Sequence, residues 1–299
     1  MHPVDPAIFD NRAAAYDHVA ALPLASAMGA EITGVQVAEL SDDAFDEVRH
    51  ALFRHGMICF RAQRLDHASQ AAFTSRFGEF GDDAYTKGVD GHEHVQPVVK
   101  EADESLGMIF GSGWHTDSAF LERPPAISML RAVEVPPYGG DTIWSSSVLA
   151  HRALSDRMRE MIDGLHVRMS RRDVMETQAR AGSASSTITM QDDDDLLAGH
   201  LAGTLHPLVR THPVTGARAL FVDETYSCGI DELTDAEAAP LLDFHVRHVT
   251  RSAFTCRLRW EVGTLAVWDN RLCVHQAYND HDGFRREMYR TTVKGERPT

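Results

Sequence analysis

Cysteine is scarce in this chain. Cys59, Cys228, Cys256 and Cys273 are the only four, and no two stand at the Cys-x-x-Cys spacing of a structural zinc site. Each lies in or near an apolar run, which predicts buried free thiols in a reducing compartment, with the cytoplasm as the expected location. Basic charge is the second shortage: Lys and Arg number 29 against 44 Asp and Glu, a formal net charge of −15. A nucleic-acid backbone or an anionic membrane calls for basic patches, so neither is expected as a partner. A small-molecule substrate is expected instead, and homo-oligomer formation is left open. Long apolar runs are missing too: nothing approaches the length of a membrane span. The opening Met1-His2-Pro3-Val4-Asp5-Pro6 lacks the basic and apolar regions of a secretory signal. The apolar share is nonetheless 43%, enough for a substantial core, and with no linker or internal repeat the expectation is a single domain over 1–299.

Short strand signals dominate the rest. Residues 1–25 read as a polar, Ala-rich arm. Ala30 to Val37 alternates like a strand with a Gly34 break. Ser41 caps a helix carrying Phe45, Val48 and Leu52 and ending at Gly56; Met57-Ile58-Cys59-Phe60 follows as a buried strand. Asp66 caps a second helix closed by Gly78, and Leu149 to Ile162 predicts one helix ending at Gly164. Val214-Thr215-Gly216 turns a hairpin between 206–210 and 219–222. Thr234-Asp235-Ala236-Glu237 is a capping box for a helix to about Val249, in which Pro240 predicts a kink or a later start. Strand signals recur at 126–133, 141–144, 254–260, 265–268 and 288–293. The fold class is therefore α+β and β-dominated, a jelly-roll barrel or sandwich with peripheral helices. Residues 171–203, with their Ser-rich and four-Asp runs, are either a lid or a solvated surface excursion.

The chemistry concentrates in Trp114-His115-Thr116-Asp117-Ser118. Among 17 His only His115 has Asp two positions on. In a strand, residues i and i+2 share a side, so both can reach one metal ion. His275, after the apolar run around Trp268, offers a second imidazole. Two His and a carboxylate on one face of a metal suit non-haem Fe(II) and leave sites open for a cosubstrate and O2. His92-Glu93-His94 lacks apolar framing and is read as a loop rather than a second metal cluster. Arg286 and Arg290 are an even number apart, so a strand would face them to one side, toward a bound anion or toward surface ion pairs.

Taken together, these segments resemble the taurine/2,4-dichlorophenoxyacetate (TauD/TfdA) dioxygenases, which depend on Fe(II) and 2-oxoglutarate. The likeness spans nearly the whole chain. It rests on Met28 to Val35, Trp114 to Ser118, Tyr138-Gly139-Gly140-Asp141-Thr142, His206 to Pro213, and Val267 to Arg271 leading to His275, with Arg286 eleven positions later. The resemblance implies a double-stranded β-helix, Fe(II) held by His115, Asp117 and His275, and 2-oxoglutarate with O2 as cosubstrates. It places the distal carboxylate of 2-oxoglutarate on Arg286 and Thr142, and Arg290 near the cosubstrate and the substrate's anionic group. Tyr226, Ser118 and Asp83 fall at substrate-side positions. The implied reaction is hydroxylation of a C–H in a small organic acid, aryloxyalkanoate- or sulfonate-like, with release of succinate and CO2. Retained Asp117 argues against halogenation. Gly81-Asp82-Asp83 and Gly111 stand where taurine-specific members carry His and Asn, which argues against taurine itself. Three alternatives stay open: an amine contact at Asp82 and Asp83 that would make the substrate an amino-acid derivative or natural-product intermediate, a metalloenzyme without 2-oxoglutarate, and a non-catalytic binder.

Overall fold

The computed structural model describes residues 5–82, 84–104, 111–181 and 194–299, so Asp83 and the central part of the candidate lid, 182–193, lie outside the described residues. In chain order the strands are β1 (Ala20–Pro23), β2 (Ala30–Thr33), β3 (Met57–Phe60), β4 (Gln96–Lys100), β5 (Ile127–Glu134), β6 (Thr142–Ser146), β7 (His166–Met169) and β8 (Thr204–Pro207). They continue as β9 (Val209–Thr211), β10 (Arg218–Leu220), β11 (Ser227–Ile230), β12 (Thr255–Leu258), β13 (Leu265–Asp269), β14 (Cys273–Ala277) and β15 (Arg286–Val293). The helices are α1 (Asp42–His55), α2 (His67–Ser75), α3 (Ser147–Arg152), α4 (Asp156–Ile162), α5 (Arg172–Ala181), α6 (Asp194–Ala202) and α7 (Asp235–Val249).

The strands form a seven-stranded sheet in the order β1-β2-β3-β13-β5-β15-β4, a three-stranded sheet β12-β6-β14, a second three-stranded sheet β11-β7-β8, and the β9–β10 hairpin. Only β2 and β3 run parallel among these pairs. Strand alternation gives the large sheet two apolar faces. Ile58, Phe60, Met129, Leu265, Val267 and Val293 point to α1 and α2, where Phe45, Val48, Leu52 and Phe73 cover them. Met57, Cys59, Leu130, Ala266, Trp268 and Met288 point the other way and pack on Trp144, Cys256 and Cys273 of the three-stranded sheet β12-β6-β14. The space between those two sheets is where β15 also delivers Arg286 and Arg290.

The caps explain where the elements stop. The Ser41 hydroxyl accepts from Ala44 N at 3.2 Å, and Gly56 takes φ 71°, the left-handed turn that lets β3 start at once. The Asp66–Ser69 box opens α2, which ends at Ser75, short of Gly78. The stretch expected as one helix to Gly164 is two, because the Ser155 hydroxyl accepts from Met158 N and caps α4 anew. Glu237 accepts from Thr234 N and α7 starts at Asp235 with Pro240 inside it, so the later start is not seen. Part of the expected polar arm is strand β1, and 171–203 contains α5 and α6. Cys59, Cys256 and Cys273 are buried as expected, but Cys228 is exposed, on β11 of the smaller β11-β7-β8 sheet. No described helix is long and apolar enough to cross a membrane.

Two buried histidines make stability depend on pH. Burial pushes His55 and His206 down to about 4. His55 Nδ1 meets Asn11 Oδ1 at 2.6 Å, and His206 Nε2 meets the Ala119 and Leu121 carbonyls at 3.0 Å each. The other ring nitrogen of each is buried with no partner among the described residues, so a second proton would find no acceptor there. The unfolded chain therefore binds more protons than the fold between about pH 6.5 and 4, and stability falls as pH falls through that window. The expected loss at pH 5 is about 2 kcal/mol per ring. Thermal melts at pH 7 and 5 of the parent beside His55→Gln and His206→Gln check it, since Asp223, pushed up to about 6 by burial, opposes the effect in all three; an equal pH shift in parent and variants would show that both rings titrate normally.

Candidate metal centre

Backbone pairing brings the imidazoles together. His115 and His275 form an antiparallel bridge, with His115 N to His275 O at 2.9 Å and His275 N to His115 O at 2.8 Å. The rings lie with centroids 4.2 Å apart. Asp117, two residues on, places Oδ1 3.7 Å from Nε2 of each. All three side chains are buried, and this is the one such cluster among the described residues. His115 Nδ1 meets the Gly113 carbonyl at 2.8 Å; a proton on that nitrogen leaves the Nε2 lone pair facing Asp117. Trp268 and Trp144 flank the His275 ring.

The loop carrying His115 is gripped from the side. Asp223 Oδ2 accepts from Thr116 N at 3.1 Å, Glu224 N donates to Trp114 O at 3.1 Å, and Thr225 Oγ1 donates to the same carbonyl at 2.9 Å. Burial, as the largest cause, pushes His275 down to about 3, so it is neutral, the form that binds metal, whereas for His115 burial is outweighed by the contact with Asp117, which raises it in the apo protein. Burial alone would raise Asp117, but His275, His115 and Arg290 outweigh it and hold the carboxyl far below its usual range. An ionised carboxylate between two imidazole nitrogens is a donor set that fits a divalent cation such as Fe(II).

The same small cavity, about 50 Å³, is lined by Thr142, Arg286 and Arg290 with the three donors, and by Val98, Leu130, Trp268 and Ala277. Arg286 is buried, its Nε and Nη2 have no hydrogen-bond partner among the described residues, and burial pushes it down to about 10. Thr142 Oγ1 accepts from Trp260 Nε1 at 2.9 Å, which turns the hydroxyl hydrogen away from the indole. The Arg286 guanidinium lies 5.8 Å from that indole ring. A buried guanidinium with open donors beside an available hydroxyl fits a carboxylate. Arg290 Nη1 stands 3.6 Å from Asp117 Oδ1, so it faces a protein acid.

The other expected site residues lie elsewhere. Tyr226 is buried in a separate cluster, its hydroxyl 2.8 Å from that of Tyr85, and it does not line the cavity. Ser118 holds φ 46° next to Asp117 without lining the cavity. Asp83 is outside the described residues. His94 stacks on Phe80 with centroids 4.2 Å apart, in keeping with a loop at 92–94. Asp82 lines a larger cavity of about 850 Å³ with Gln96, Leu121, Arg123 and His200. Gln96 and Val98 share a face of β4, so the larger cavity neighbours the smaller one. Gly111 lies at φ 85°, where an added Cβ would come 3.4 Å from His115 Cε1. Sequence reasoning gives no site role to Asp223, Ser128 or Asn270: Asp223 reaches the site from a distant segment, Ser128 carries only a strand signal, and Asn270 lies within the 267–271 segment without its side-chain contact being legible.

Residues 20–292 match the family described as "Taurine catabolism dioxygenase TauD, TfdA family". An alpha-ketoglutarate-dependent sulfate ester dioxygenase of Pseudomonas putida is 34% identical over 279 residues, covering 92% of this chain and 89% of that protein. A crystal structure of a taurine dioxygenase from Burkholderia xenovorans superposes with a TM-score of 0.78 at 34% identity, covering 95% of this chain and 93% of that one. A further structure, AAD-2 in complex with Mn(II) and N-oxalylglycine, superposes with a TM-score of 0.76 at 26% identity, covering 94% and 99%.

Proposed function

The chain belongs to the TauD/TfdA family of Fe(II)- and 2-oxoglutarate-dependent dioxygenases, and on that premise we propose that His115, Asp117 and His275 hold the iron while Arg286 and Thr142 take the distal carboxylate of 2-oxoglutarate. The observation that carries this reading is the buried Arg286 guanidinium, with open donors, in the same cavity as the His-Asp-His cluster. The packing of the seven-stranded sheet on β12-β6-β14 around that cavity supports a double-stranded β-helix.

When bound, iron and 2-oxoglutarate supply O2 activation coupled to decarboxylation, giving succinate, CO2 and a hydroxylated substrate. The chain's own groups do the placing. Arg286 fixes one end of the cosubstrate by a forked charge-assisted contact, and Thr142 adds a hydroxyl donor. Val98, Leu130, Trp268 and Ala277 keep water out. Asp117 stays ionised in this surround because Arg290 and the imidazoles offset its burial.

The substrate is an organic anion reacting at a carbon next to a heteroatom, in the class of sulfate esters, sulfonates and aryloxyalkanoates. Sulfate ester turnover by the Pseudomonas relative supports this, and the neighbouring 850 Å³ cavity gives room for an alkyl or aryl body. Arg290 is assigned first to Asp117, as its position suggests, and contributes to the substrate's anionic group as a shared cation. The test is succinate release across alkyl sulfates, alkyl sulfonates and phenoxyalkanoates, each beside a neutral and an amine-bearing analogue. Substrate-dependent succinate from the anions alone is expected. Equal turnover of neutral analogues would discard the anion requirement, and turnover only of amine-bearing compounds would move the specificity to Asp82.

A further inference from the structure

The two carboxylate oxygens of Asp117 have different surroundings. Oδ1 faces His115, His275 and Arg290, whereas Oδ2 accepts from the Ser128 hydroxyl at 2.5 Å. Ser128 sits on β5 and is fully buried. Its oxygen is 2.8 Å from Asn270 Nδ2, and Asn270 Oδ1 is 3.0 Å from Trp268 Nε1. The direction of this chain follows from its far end. An indole N–H can only donate, so the Asn270 atom facing Trp268 must be the amide oxygen. The amide NH2 then faces Ser128, whose oxygen accepts, and the single hydroxyl hydrogen is committed to Asp117. Asn270 is itself pinned, its backbone N donating to Ala126 O at 2.9 Å.

We propose that Ser128 and Asn270 are positioning residues that occupy Asp117 Oδ2 and so make Asp117 a one-oxygen metal ligand. A carboxylate whose second oxygen is engaged by a strong donor would present its first oxygen preferentially to an ion. Held in this way, Asp117 would take up less of a bound ion's coordination and leave more of it to the cosubstrate. The indole of Trp268 sets the polarity of the relay, and no sequence motif announces Ser128, because its partner lies eleven residues away across a strand connection. The inference rests on the metal-centre reading above.

The test compares the parent with Ser128→Ala, Ser128→Thr and Ser145→Ala. Ser145 is a second fully buried serine, on β6, whose hydroxyl donates to Val249 O and does not line the metal cavity. Co(II) is titrated into each apo protein, reading the dissociation constant and the visible absorption, which follows coordination number. Apo melting is measured in parallel. Ser128→Ala should weaken Co(II) binding roughly 10- to 100-fold and shift the spectrum toward higher coordination. Ser128→Thr should restore both through its hydroxyl. Ser145→Ala should change melting alone. Parent-like affinity and spectrum in Ser128→Ala, or an equal loss in Ser145→Ala, would overturn the proposal while leaving the metal centre intact. A parent that binds no Co(II) would remove both.

Discussion

Asp117→Ala protein is expected to lose its metal and all detectable turnover. The substitution removes the only carboxylate among the three candidate donors. It also changes the sign of the site: Arg290, 3.6 Å from Asp117 Oδ1, would then face two neutral imidazoles in place of that anion. A divalent ion entering that pocket meets a guanidinium no longer offset by that carboxylate, in a buried setting where charge is poorly screened. The fall in metal affinity should therefore exceed the roughly 10- to 100-fold effect usual for an outer partner of a ligand. Equilibrium dialysis with Mn(II) or Co(II) reads it directly. His115→Ala and His275→Ala should lose metal as well, but with the site's charge preserved they should retain more affinity than Asp117→Ala. Parent-like metal binding in Asp117→Ala would sink the assignment of the triad.

Arg286→Ala should raise the 2-oxoglutarate requirement by a large factor while leaving metal binding close to the parent. Removing one partner of a buried, forked charge pair typically costs about 2–5 kcal/mol, which corresponds to roughly 30-fold to several thousand-fold in affinity. The apo protein gives an independent reading. There the guanidinium is buried with Nε and Nη2 unpartnered among the described residues, and burial depresses its pKa to about 10. Deleting such a charge relieves a desolvation cost, so Arg286→Ala should melt no lower than the parent without 2-oxoglutarate and gain less from its addition. Arg286→Lys should recover only part of the affinity, since an ammonium cannot form the planar fork. An unchanged requirement for 2-oxoglutarate in Arg286→Ala would take this residue out of the site.

Local periodicity settled a good deal. Arg286 and Arg290 do line one cavity, because strand parity is a property of a single segment; His115 and Asp117 also present to one side, although only His115 pairs, as an isolated bridge, and Asp117 stands in the turn that follows. Caps were legible for the same reason: Ser41, Asp66 and Gly56 act on neighbours within one turn. The break between α3 and α4 was missed although it is also local, since the apolar spacing from Leu149 to Ile162 masked the cap at Ser155.

What the sequence could not settle is which segments meet. The His115–His275 bridge joins residues 160 positions apart, and its register depends on how β14 pairs with β6. Tyr226 turned toward Tyr85 and Phe120 rather than the cavity because the packing of the β11-β7-β8 sheet decides where that loop points. Arg290 facing Asp117, and Ser128 taking the second carboxylate oxygen, depend on the β5–β15 and β5–β13 registers. A strand's alternation fixes which side its side chains share, but a slip of its neighbour by one residue exchanges every cross-strand partner without altering that alternation. The sequence by itself therefore determined the candidate donor types, and the tertiary structure decided which oxygen of Asp117 faces the two imidazoles and which one Ser128 takes.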